Sequence, residues 1–195
     1  MSNDLNVQFQ NAFEFINKLH HEISYLIKEV EGILQQEDEQ FIIGRPGGYQ
    51  VTTRTSTGLE PVNVEYWMPK TFTVFFRPGE QTAQSVTNTK FHESLRLLLI
   101  HIDLFRKDVN KPRIIFGCLN KVLCHRPEKF KKFEQIVGKF PYHHHRILHG
   151  LPNISYTDGD CTLEGYMYEE DLFSINSSDD ISNNIIPKML NLYRK

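Results

Sequence analysis

A chain of 195 residues is long enough for one well-buried domain, and 39% apolar with 24% charged residues is the composition of an ordinary globular protein, not of a disordered or fibrous one. No apolar run approaches the ~20 residues needed to cross a bilayer, so no membrane association is expected. The net charge of −2 conceals an asymmetry: residues 1–40 carry two basic and eight acidic side chains, residues 41–140 sixteen and eight, and residues 141–195 four and eight.

The opening "MSNDLNVQFQNAF" has neither a basic n-region nor an apolar h-region, so no signal peptide is expected. Cys118, Cys124 and Cys161 are odd in number and lack CxxC spacing, which argues against a disulfide framework and against a zinc ribbon. A reducing cytoplasm is the expected location.

Residues 1–40 read as one long amphipathic helix. Phe9, Ile16, Ile23 and Val30 recur every seven residues, and Ala12, Leu19, Leu26 and Ile33 follow each by three. This is an a/d pattern with β-branched residues at three a positions and Leu at two d positions, a choice that favours two-stranded association. Asn3 or Asp4 can cap the start. Ile16, Leu19, Ile23, Leu26 and Val30 are the expected dimerisation residues. Phe13, Phe15, Ile27 and Leu34 widen the stripe, however, as in a helix that packs on its own sheet. A mixed arrangement, one edge on the sheet and one on a second copy, is also open.

Residues 41–195 read as a globular α+β unit packed with that helix. "GRPGG" at 44–48 is a turn; it lacks the GK[ST] of a phosphate-binding loop. Runs rich in Val, Thr, Ile, Tyr and Phe at 49–56, 62–68, 71–77, 95–105 and 113–122 are expected strands, and 161–173 another. A polar loop is expected at 80–94 and a hairpin loop at 106–112. "RPEKFKKFEQIVGKF" at 126–140 reads as a helix, "NSSDD" at 176–180 as a loop, and a short helix is expected to begin near Pro187. Strands in succession bracketed by helices define an α+β fold: a long N-terminal helix, a mainly antiparallel sheet of about five or six strands, and one or two C-terminal helices.

Four candidate chemistries follow. "PYHHHRILHG" places His145 and His149 four apart, so that on a helix they share a face and can hold a divalent transition metal with a third ligand such as Asp160. The glutamate of HExxH is missing, and Pro141, Gly150 and Pro152 disfavour a long helix there, so a solvated connecting segment is the competing expectation. "HID" puts His101 and Asp103 on one side of a strand, as an acid–base pair or as the wetter end of a two-faced strand. Residues Arg106, Lys107, Lys111, Arg126, Lys131 and Lys132 belong to a basic stretch that can contact phosphates, or that can be neutralised by the acidic N-terminal helix. Tyr66, Trp67, Phe75 and Phe76 fit a ligand pocket or the core.

The expected function is a non-enzymatic interaction or assembly module, a homodimer through its N-terminal helix with a protein partner on its α+β body. The alternatives are a metal-dependent hydrolase or nuclease using His145 and His149, with His101 and Asp103, and a nucleic-acid-binding protein using the basic middle. No cofactor is expected beyond a metal at the histidines.

Overall fold

The computed structural model describes residues 2–43, 49–51, 71–79, 95–104, 111–129 and 146–195. It opens with helix α1 (Ser2–Leu34), which already includes the Asn3 and Asp4 offered as caps. Seven strands follow: β1 (Ile42–Ile43), β2 (Tyr49–Val51), β3 (Thr71–Arg77), β4 (Leu97–Asp103), β5 (Arg113–Cys124), β6 (Asn153–Thr157) and β7 (Cys161–Asp171). The chain closes with helix α2 (Ile186–Tyr193). An N-terminal helix, an antiparallel sheet and a C-terminal helix make this an α+β fold.

The sheet runs in the order β1-β3-β4-β5-β7-β6, every pair antiparallel, with β2 beside β1 along the outer edge of β3. Its central strands β3 and β4 and the first half of β5 are buried without interruption because both faces are covered there. On one face Val74, Phe76, Leu98, Ile100, Ile114 and Phe116 pack with α1 and α2. On the other, Phe75, Leu97, Leu99, Ile115, Leu119 and Met167 form a second cluster with Ile147 and with Ile154 and Tyr156 of β6. Phe75 and Phe76 are thus core residues on opposite faces, and neither lines an open pocket.

The alternation of β5 is interrupted once. Leu119 pairs with Gly165 and Lys121 with Glu164, which leaves Asn120 as the extra residue of a bulge. Just before it, β5 and β7 come unusually close: a Cβ on Gly165 would lie 2.3 Å from the Cys118 carbonyl oxygen, and one on Gly117 2.2 Å from that of Tyr166.

The C-terminal helical segment starts earlier than Pro187. Ser177 caps it, accepting from Asp180 N–H while the Asp180 carboxylate accepts from Ser177 N–H, a reciprocal capping box. One α-turn (Ser178–Asp180) and a wide π-helical stretch (Ile181–Ile185) then lead into α2. "NSSDD" is accordingly a helix start. Strand β6, unforeseen in the sequence, follows the cis Leu151–Pro152 bond and pairs with the whole first half of β7. The expected strand at 62–68, the turn at 44–48, the loop at 80–94 and most of the expected helix at 126–140 lie outside the described residues.

Candidate interaction surface and interior polar row

A 33-residue helix is about 50 Å long, and the core covers only its second half. Ile23, Ile27, Val30 and Leu34, spaced as one face of a helix, are buried in the core, and Leu19, Leu26 and Ile33 pack partly against it. Ring contacts hold the same stretch: His20 meets the edge of Phe72 at 5.4 Å. Each fully buried aliphatic side chain is worth about 1.5–3 kcal/mol, so these four residues anchor the helix firmly.

The apolar stripe does not stop where the sheet does. At helical spacing it continues backwards through Ile16, Phe13, Phe9 and Leu5. Here it meets no core: Leu5 is 66% exposed, Phe9 69% and Phe13 56%, and Phe9 and Phe13 stack on each other with ring centroids 6.1 Å apart. Val7 and Phe15 are exposed as well. Residues 5–13 carry no charged side chain. Further along, a groove of about 520 Å³ runs between α1 and the segment before α2, lined by Leu19, Glu22, Tyr25, Leu26, Phe173 and Ile175. Phe15 shares the Leu19 and Leu26 side of α1, so the exposed stripe and the groove adjoin. Of the five expected dimerisation residues, Ile23 and Val30 are therefore spent on the chain's own core, Leu19 and Leu26 are half-buried at the groove, and Ile16 sits at the boundary. The exposed Leu5, Phe9, Phe13 and Phe173 carry more of the surface than those five residues do.

The "HID" pair lies elsewhere. His101 and Asp103 are on one side of β4, as alternation requires, and they are inside: 0% and 4% exposed. They belong to two cross-strand rows, Thr71–Asp103–Arg113–Asp171 and Thr73–His101–Ile115–Glu169. Thr73 Oγ1 and His101 Nδ1 share a hydrogen bond of 2.9 Å. Arg113 donates from Nη1 to Glu169 and stands 3.5 Å from Asp103 Oδ2 through Nη2, while Lys111 Nζ is 3.5 Å from Asp171. The wetter end of the strand is thus a polar layer at the end of an otherwise apolar face, joined by the Thr73–His101, Arg113–Asp103 and Arg113–Glu169 contacts, with Arg113 Nε left outside these bonds. Thr71 and Thr73 gave no signal in the sequence, and Arg113 only as one charge of the basic stretch, because only the register joins them to "HID".

The histidine segment contributes little that is described. His149 is exposed in a single turn of 3₁₀ helix (Leu148–Gly150), and His145 lies outside the described residues. Asp160 sits in the tight β6–β7 turn, with its carboxylate 3.4 Å from Arg126 and 3.9 Å from Lys129. Among the described residues no three His, Cys, Asp or Glu side chains converge as a metal site. The neighbouring Tyr156 hydroxyl donates to Asp158 at 2.9 Å, and burial together with that carboxylate pushes it up to about 12.

Arg106, Lys107, Lys131 and Lys132 also lie outside the described residues. Of the described basic side chains of the middle, Arg96 donates to the Tyr193 carbonyl at 2.7 Å, and those from Lys111 onwards pair with acids outside α1. Lys111 pairs with Asp171, Arg113 with Asp103 and Glu169, Lys121 with Glu164 at 2.7 Å, and Arg126 with Asp160. Asp103 apart, the acids that meet these positive charges lie in the acidic last third.

No family model, no curated protein and no solved structure matches this chain. Among the described residues, no helix is long and apolar enough to cross a membrane.

Proposed function

We propose that this protein is a non-enzymatic assembly module that self-associates through the first half of α1, a second copy covering the stripe Leu5–Phe9–Phe13 and the adjoining groove. The observation that carries this reading is the continuity of one apolar stripe, buried in its second half and bare in its first. A helix of about 15 residues is marginal in water on its own, so the arm gains from a cover. The absence of charge from residues 5–13 favours a second copy as that cover. Along the stripe two uncharged, amide-flanked faces meet without like-charge repulsion, the groove's Glu22 and Glu29 lying beyond it, whereas a nucleic acid, a charged peptide or an anionic bilayer finds nothing complementary on the stripe. The half-buried Leu19 and Leu26 extend the contact towards the body of the protein.

Solution mass by light scattering across the micromolar range tests it. The expected result is twice the chain mass, with a melting temperature that rises with concentration. The double variant Phe9→Glu, Phe13→Glu should weigh one chain and melt independently of concentration while keeping its fold, because both side chains are exposed. Val30→Asp, buried in the core, should instead unfold the protein. A wild-type chain that stays a single copy throughout that range overturns the proposal.

A further inference from the structure

We infer that Cys124 and Cys161 are a reversible dithiol–disulfide pair, a covalent staple at the open end of the β5–β7 ladder. Cys124 ends β5, Cys161 begins β7, and the register makes them direct cross-strand partners. The pair is of the close kind. Next to it, His125 N–H donates to the Asp160 carbonyl at 2.8 Å, whereas Cys161 turns its carbonyl to Asp158 N–H at 2.9 Å and its N–H to Asp158 Oδ1 at 2.8 Å. The backbone of Cys161 thus bonds away from β5. In such a non-hydrogen-bonded pair the Cα atoms lie about 4.5 Å apart and the side chains are nearest, inside the range of about 4.4–6.8 Å that a disulfide spans. Both side chains also enter the same apolar cluster, which places them on one face of the sheet.

The surroundings hold the two sulfurs ready. Asp158 Oδ1 accepts from both Asp160 and Cys161 N–H and fixes the turn. His125 Nε2 and Thr162 Oγ1 share a hydrogen bond of 2.9 Å, and Thr162 is joined to Thr157 at 3.0 Å, which ties the same three strands together beside the pair. All three cysteines are thiols in the structure. Cys124 is partly exposed and Cys161 is 1% exposed, which gives the two different roles. The oxidant is a small disulfide of the glutathione type. The Cys124 thiolate attacks one of its sulfurs, its S–S bond breaks, and one thiolate leaves, forming a mixed disulfide on Cys124. Cys161 loses its proton to water and attacks the Cys124 sulfur, expelling the second small thiolate. Two protein thiols are oxidised to one disulfide, and the small disulfide is reduced to two thiols. Cys118 takes no part: it faces the helix side of the sheet, fully buried, and burial pushes its thiol up to about 12.

The native protein equilibrated in glutathione redox buffers, quenched with acid and mapped by mass spectrometry, tests the pair. The expected product is lighter by two hydrogens, has one disulfide linking the peptides of Cys124 and Cys161, keeps Cys118 reduced, and reverts with dithiothreitol. Its melting temperature should rise by about 5–10 °C, as closing a loop of this length predicts. Cys118→Ser should leave the product unchanged, and Cys161→Ser should stop at a stable glutathione adduct on Cys124. If wild type also stops at that adduct, or if the disulfide joins two chains or includes Cys118, the inference is wrong. The same holds if both thiols survive the most oxidising buffer.

Discussion

Asp103 and Arg113 stand directly opposite each other on β4 and β5, both more than nine-tenths buried, with Arg113 Nη2 3.5 Å from Asp103 Oδ2. The Arg113 guanidinium also reaches Glu169, whose side chain is 37% exposed, so the charge cluster is closed on one side and wetted on the other. A buried ion pair is weak evidence of net stabilisation, because desolvation opposes the attraction, but removing one partner strands the other.

Asp103→Ala should therefore cost about 2–4 kcal/mol, read by urea denaturation, with Glu169 compensating only in part. The double variant Asp103→Leu, Arg113→Met should recover most of that loss. A double variant no more stable than Asp103→Ala alone would show that the pair itself, and not the stranded guanidinium, is what the fold requires.

Arg194 gives a pH-dependent counterpart at the surface. It donates to Glu39 from Nε at 2.9 Å and from Nη2 at 2.7 Å, and to Glu37 from Nη2 at 3.0 Å, tying the end of α2 to the turn after α1. The Arg194 hydrogen bonds hold the Glu39 carboxyl below its ordinary value of 4.5. A carboxylate whose folded value is depressed stabilises the fold above its unfolded value and loses that contribution as pH falls through the folded one. Arg194→Ala should thus cost up to about 1 kcal/mol at neutral pH, since the pair is solvent-screened. The gap between variant and wild type should close below pH 4.5, within the range set by Glu39. A gap that persists unchanged in stronger acid would assign the loss to packing.

Two glycines should respond in opposite directions. Gly165→Ala puts a methyl 2.3 Å from the Cys118 carbonyl oxygen and 2.9 Å from the Leu119 Cα, both backbone atoms, so the strands must part and the cost should exceed about 2 kcal/mol. Gly32→Ala, inside α1 with nothing within 4 Å, should stabilise by about 0.5–1 kcal/mol. Equal effects in thermal melts would rule out the close approach of β5 and β7.

The long helix was legible in its sustained helical period, and the sheet in successive runs rich in Val, Ile, Thr and Phe between turn signals. What the stripe on α1 faced was not. Over two or three turns a heptad seam and a core-facing stripe select the same positions, and only the tertiary packing decides that Val30 is inside and Phe9 is not. Strand β6 carries a short alternating signal of its own: Ile154 and Tyr156 are buried and alternate with exposed Asn153, Ser155 and Thr157. Ser177 followed three residues later by Asp180 was a readable helix start, overshadowed by Pro187. The spacing of His101 and Asp103 placed them on one side correctly. Their enclosure depends on partners from β3, β5 and β7, which no local pattern reveals.

Asn120 shifts the phase of strand β5. Upstream, odd-numbered residues such as Ile115 and Leu119 belong to the second core; downstream that role passes to an even-numbered one, Val122. Without the added residue, strict alternation would turn Lys121 inward and Val122 outward. With it, the ammonium group meets Glu164 at the surface and the valine stays dry. Cys124 lies in this second reading frame, so the sulfur of β5 faces that of β7 only because the strand miscounts once.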